Sequence, residues 1–228
     1  MKTQTISQTQ ILDNINYFRN NITNNRTHFK NNKGIYYMFF DKFNQSYLLE
    51  CPIEHINTDN KKIEYNKFFL YTIPNKTTNK NEGMIGYLSF ELYNNTATLL
   101  RLQITNQNYL RKKIGSNLLH FFEYFARSNN YNFAIGTIAK MNTEKKLQPF
   151  DKKIIDLDNL KKFYQKQGYT VFYEGKEQRM KIKKDLSHMN IKEIEENMIK
   201  VKVKNENYAV IILNSKENCI SNDKALEY

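Results

Sequence analysis

The chain has 228 residues, 40% hydrophobic and 14% aromatic, with 35 Lys and Arg against 23 Asp and Glu, a formal charge of +12 and a pI near 9.4. That is enough apolar material for a real core in one large domain, or one domain with a companion, and it excludes a disordered or fibrous chain. Trp is absent, with 7 Gly and 3 Pro, while Lys, Asn, Ile and Tyr abound. These are the residues of AT-rich codons, so the basicity is discounted as a sign of a nucleic-acid partner.

Two cysteines, Cys51 and Cys219, stand far apart without a CxxC partner, as in a reduced cytosolic protein. His28, His55, His120 and His188 show no metal-ligand spacing, so no metal is expected. The start, MKTQTISQTQ, is polar where a signal peptide needs an apolar segment, and no run approaches the ~20 apolar residues of a membrane span. The expectation is a cytoplasmic protein with no membrane contact.

In chain order, Ile11, Ile15, Phe18 and Ile22 recur at helical intervals and predict a first helix within residues 7–25. Residues 34–40 and 46–51 read as strands joined by a turn at 41–45, and 41–62 offers no helix. Residues 63–73, 84–93 and 97–104 form an antiparallel meander. Asn94-Asn95 closes its last hairpin, because asparagine tolerates positive φ. Ala97, Leu99, Leu102 and Ile104 give the last strand a composition buried on two faces, although Leu99 and Leu100 together blur its alternation.

Ile114, Leu118, Phe122 and Phe125 then place one apolar face on a helix that must cover the sheet. Between strand and helix lies Leu110-Arg111-Lys112-Lys113-Ile114-Gly115-Ser116. Its cations stand beside the unpaired N–H groups of a first helical turn, with a glycine that lets backbone approach a ligand, so it suits a pyrophosphate or phosphorylated ribose. The same pattern also fits a solvated turn capping a core helix. A strand at 132–138, a long basic connection at 140–158, a helix near 160–168 and a strand from Thr170 follow. A short helix at 190–199 and a hairpin at 199–213, turning at Asn205 to Asn207, end the readable pattern.

The downstream stretch Phe163-Tyr164-Gln165-Lys166-Gln167-Gly168-Tyr169 resembles the FYxKxGF helix-to-strand signature of the GNAT superfamily of acyl-CoA N-acyltransferases. The turn ending Ile114-Gly115-Ser116, followed by Leu118-Leu119, is similar to that family's acyl-CoA loop. The resemblance covers roughly residues 84–183. Within the loop two positions depart from it: Leu110 stands where the family has Arg or Gln, and Lys113 replaces the first loop glycine, a place it can hold if its φ is negative. Leu157 occupies the position of a family asparagine, for which Asp156, Asp158 or Asn159 could substitute.

The resemblance implies an α/β (α+β) fold: a mixed, mostly antiparallel twisted sheet flanked by helices, with an atypical N-terminal region and a C-terminal extension. The expected GNAT-like domain runs over 1–185, and 186–228, outside the resemblance, is an extension packed on or beside it. That tail extends the sheet, forms a contact in a homodimer, or makes a small appended module.

The activity so implied is N-acetyl transfer from acetyl-CoA to a primary amine by direct attack in a ternary complex. Leu110, Arg111, Lys112, Lys113, Ile114, Gly115 and Ser116 would hold the pyrophosphate. Backbone groups of Leu102, Gln103 and Ile104 would pair with the pantetheine arm, and Asn159 would contact the donor. Tyr164 would protonate the leaving thiolate, a phenol of pKa ~10 facing a thiolate near ~8.5, with Phe163 taking the packing role. Glu91 is the first candidate base, through water. His120 is the second, and direct loss of the proton to solvent is the third. The acceptor is left open among a protein amine, a small molecule and an aminoacyl-tRNA. The alternative is an acyl-CoA-binding or nucleic-acid-binding module that keeps the fold without turnover.

Overall fold

The computed structural model describes residues 35–40, 46–50, 53–58, 61–72, 84–105, 109, 113–138, 157–175, 179–196, 199–203 and 206–211, with residues 9, 12, 13 and 16. Those four isolated residues are helical. The rest of the expected first helix, the turn at 41–45, the connection at 140–156 and the tail past 211 lie outside the described residues.

Among them are eleven strands: β1 (Ile35–Phe40), β2 (Ser46–Glu50), β3 (Ile53–Thr58), β4 (Lys61–Thr72), β5 (Met84–Tyr93), β6 (Thr96–Ile104), β7 (Phe133–Ile138), β8 (Thr170–Glu174), β9 (Arg179–Asp185), β10 (Ile199–Val203) and β11 (Glu206–Ile211). The helices are α1 (Ile114–Ser128), α2 (Leu157–Lys166) and α3 (Ile191–Glu196). The strands form one mixed sheet in the order β10-β11-β1-β2-β4-β5-β6-β7-β9-β8, with β3 pairing β4. All pairings are antiparallel except β1 with β11 and β6 with β7. The fold is thus the mixed, mostly antiparallel sheet with flanking helices that the motifs imply.

The β5–β6 hairpin turns on Asn94 and Asn95 at φ 45° and 62°, the left-handed pair that a two-residue turn between right-twisted strands requires. Alternation along β4 and β5 sends Phe68, Leu70, Leu88, Phe90 and Leu92 into the core. They meet α1, whose Phe121, Phe122 and Phe125 rings contact Phe68 and Phe90 with centroids 4.8–5.5 Å apart.

Burial of α1 is not confined to that one face. Glu123, Tyr124 and Ala126 are covered as well: Lys184 of β9 donates to Glu123 at 2.7 Å, and Tyr124 Oη donates to Glu195 of α3 at 3.4 Å.

Two strand expectations are corrected. The second half of β6 is not a two-face-buried strand: Leu100 is 44% exposed, Arg101 is exposed, and Leu102 to Ile104 are only half-buried. In the C-terminal hairpin Val203 faces Glu206, and Glu206 and Asn207, expected in the turn, belong to β11. This hairpin joins the sheet by pairing β11 alongside β1.

Candidate functional site

Residues β6 and β7 share are few. Their parallel pairing runs only from Thr96–Phe133 to Leu99–Gly136, after which β7 continues against β9 alone. At the same point β5 passes over Leu100: Phe90 faces Leu99 and Ser89 faces Arg101. This bulge re-aims the strand where its outer side loses a partner. Among the described residues, Leu100 to Ile104 have no strand on that side, so their backbone donors and acceptors face the wedge between β6 and β7.

The first turn of α1 stands at the mouth of this wedge. A Cβ added to Gly115 would lie 3.8 Å from Leu102 Cδ2 of β6 and 3.8 Å from Phe163 Cζ of α2. The glycine therefore marks where strand and both helices converge. Lys113 is the N-cap, and neither a side-chain cap nor an acidic residue of the first turn satisfies the helix donors. An uncapped helix start with no acid of its own can accept an anion. Lys113 takes φ 62°, not the negative φ expected of it, so a lysine occupies a left-handed position that suits glycine. Ser116 Oγ accepts from Gln167 Nε2 at 3.2 Å, which leaves the hydroxyl proton to donate elsewhere. Leu110, Arg111 and Lys112 lie outside the described residues.

The signature on α2 is, in physical terms, a glycine-closed helix end. Gly168 at φ +83° lets Gly168 N–H reach Gln165 O at 3.0 Å and Tyr169 N–H reach Tyr164 O at 3.0 Å. Packing is divided otherwise than expected. Tyr164 is the buried aromatic, 9% exposed, edge-on to Tyr169 at 5.7 Å, while Phe163 is half-buried beside Gly115. Burial pushes the Tyr164 phenol up to about 12, above the value assumed for a well-matched acid. Asn159 is exposed on the first turn of α2.

Glu91 is not brought to Tyr164. It is half-buried on β5, between Tyr65 and Thr98, and alternation turns it away from α1 while Phe90 and Leu92 point toward it. The two residues flank opposite faces of the sheet. His120 lies 3.5 Å from Glu123 on α1, within the helix.

Sequence reasoning missed Glu123, Lys184 and Gln167. Glu123 is fully buried and paired with Lys184 at 2.7 Å. A carboxylate inside the apolar run HFFEYF was the signal available for it. Among the described residues no group of His, Cys, Asp and Glu could hold a metal, and no helix is long and apolar enough to cross a membrane.

No protein-family model matches the sequence, and no curated protein matches it. Solved structures do. PaiA N-acetyltransferase from Thermoplasma acidophilum, in complex with coenzyme A, is 21% identical over 52% of this chain, with TM-score 0.37. A GNAT-family acetyltransferase from Staphylococcus aureus Mu50 is 15% identical over 54%, with TM-score 0.38. The ribosomal-protein-S18-alanine N-acetyltransferase from Escherichia coli is 15% identical over 55%, with TM-score 0.33. The matched part spans 60% of the Thermoplasma protein and 68% of each of the other two. All three are acetyltransferases, and the Staphylococcus aureus protein is of the GNAT family, to which this chain's own motifs are similar.

Proposed function

We propose that the protein transfers an acetyl group from acetyl-CoA to a primary amine by direct attack in a ternary complex. The observation that carries this is the wedge past Leu99 and Gly136, with the uncapped first turn of α1 at its mouth. An extended chain ending in a pyrophosphate fits both halves: β6 offers strand-like hydrogen bonding, and the helix start offers N–H donors.

In this reading Gly115 and Ser116, with the charge of Lys113 and the cations Arg111 and Lys112 before it, hold the pyrophosphate, and Leu110 and Ile114 bound that turn. The backbone of Leu102, Gln103 and Ile104 aligns the pantetheine arm, and an N–H at the bulge faces the oxygen on which charge develops. Asn159, at the exposed start of α2, contacts the donor. The thioester supplies an activated acyl carbon and a thiolate leaving group. Tyr164 supplies the proton; with its phenol held up to about 12, it acts first as a hydrogen-bond donor to the departing sulfur and gives up its proton late. With Glu91 turned to the other face of the sheet, the amine loses its proton directly to solvent.

The acceptor amine belongs to a protein, a small molecule or an aminoacyl-tRNA, and the reaction is placed in the cytoplasm. A second reading, an acyl-CoA-binding module without turnover, is favoured by the burial of Tyr164 and by Lys113 at a glycine position. Calorimetry with acetyl-CoA, followed by acetylation of a mixed amine panel, tests both. Binding with transfer supports the enzyme, binding alone the module, and no binding neither.

A further inference from the structure

A cluster beside the cleft has no part in the chemistry above. Lys184 Nζ, from β9, donates to Glu123 Oε2 of α1 at 2.7 Å and to the Gln167 carbonyl, just past α2, at 2.9 Å. Gln167 Nε2 returns to α1 by donating to Ser116 Oγ. Ser116 and Glu123 are seven residues apart, about 10 Å along the helix at its usual rise. The end of α2 is therefore tied to α1 at two separated points, one directly and one through Lys184. The same ammonium lies 5.4 Å from the Tyr169 ring centre, and Tyr169 is the ring that packs edge-on against Tyr164. The other titratable groups facing Glu123 are His120 on its own helix and Tyr169, whose phenol it helps to raise.

A buried ion pair is a poor device for stability alone, since well-packed apolar residues do as well. Its advantage is direction: an ammonium has three donors to aim, and here two of them fix acceptors on two different elements.

We propose that Lys184, acting with Glu123 and Gln167, is a positioning residue that sets the separation between Tyr164 and the first turn of α1 across the donor cleft; this rests on the acetyl-transfer reading above. Loss of the tie leaves each helix intact but lets α2 drift relative to α1. Misplacement of a reacting group by ~1 Å costs up to ~10²-fold in rate.

The test is a single-turnover acetyl-transfer measurement on wild type, Gln167→Ala, Lys184→Met and the double variant Glu123→Leu/Lys184→Met, each with and without Tyr164→Phe. The double variant leaves no unpaired buried charge and carries the test should Lys184→Met fail to fold. Expected are acetyl-CoA binding by calorimetry within a few fold of wild type, transfer slowed ~10–100-fold, and a smaller penalty for Tyr164→Phe than in wild type, because the hydroxyl is already misplaced. Transfer at the wild-type rate in the double variant, or the same Tyr164→Phe penalty in both backgrounds, overturns the proposal and leaves the enzyme reading standing. A wild type that binds no acetyl-CoA and acetylates nothing overturns the enzyme reading, and this one with it.

Discussion

Leu99 of β6 and Gly136 of β7 are the last residues joining these parallel strands, and Leu100, the next in the chain, is the residue β5 passes over. Bulge and divergence thus coincide within one peptide. Deleting Leu100 would restore regular alternation without moving Leu102 or Ile104 to the other face, since Arg101 would follow Leu99 as an outward residue. The expected product is folded but has lost its acetyl-CoA response, because the strand no longer turns into the wedge. Circular dichroism and a thermal-shift titration together measure this.

Acetyl-CoA should raise the melting temperature of the wild type, a donor at ~100 times its Kd contributing about 2.7 kcal/mol. Gly115→Val should abolish that rise without unfolding the chain. The space at Gly115 admits a Cβ at 3.8 Å from Leu102 and Phe163, but the two γ-methyl groups must push into the gap between strand and helices. A normal shift in Gly115→Val would place the phosphate turn elsewhere.

Lys113→Gly should stabilise the protein. A side chain in the left-handed region costs roughly 1–2 kcal/mol, part of which is offset by the greater freedom of unfolded glycine. A net gain of about 0.5–1 kcal/mol corresponds to ~1–4 °C in a chain of this size. Urea unfolding measures it, and an unchanged or lowered midpoint would mean that the lysine makes a compensating contact.

Much of the fold could be read from local chemistry. Asn94-Asn95 announced its hairpin because few residues tolerate two successive positive φ values, and α1 announced itself by apolar spacing. Leu99-Leu100 was legible only as a blur, since a bulge reads in sequence as a failed alternation. Lys113 misled for a different reason: residue type argues against φ 62°, and the surrounding turn overrides it. The tie from Lys184 through Gln167 to Ser116 joins three elements distant in sequence, which no local pattern encodes.

Tyr164→Phe should leave donor binding within a few fold while turnover falls ~10²–10⁴-fold, as for a positioned general acid. Single-turnover transfer at saturating donor reads this, and an unchanged rate with lowered stability would make the hydroxyl structural.

The same residue gives a pH signature in stability. Folded Tyr164 holds its proton up to about pH 12, while the unfolded chain releases it near 10.0, so its contribution is whole below 10 and lost as pH rises toward 12. Each pH unit in that window removes ~1.4 kcal/mol through this residue. Tyr169, raised by burial and then by Glu123, acts in the same direction, as does Tyr124. Urea unfolding between pH 9 and 12 should show a steep fall that Tyr164→Phe makes shallower by one proton.

The parallel pairing of β11 with β1 bears on how the chain comes to be folded as it is made. Ile35 lies beside Asn207, so one flank of β1 waits for a partner until β11 has left the ribosome. At ~5–20 residues per second that wait is on the order of ten to thirty seconds, during which Ile35–Phe40 is a bare strand edge. The hairpin of β10 and β11 thereby covers an edge laid down much earlier, and chains stopped short of Ile199 should be those that self-associate.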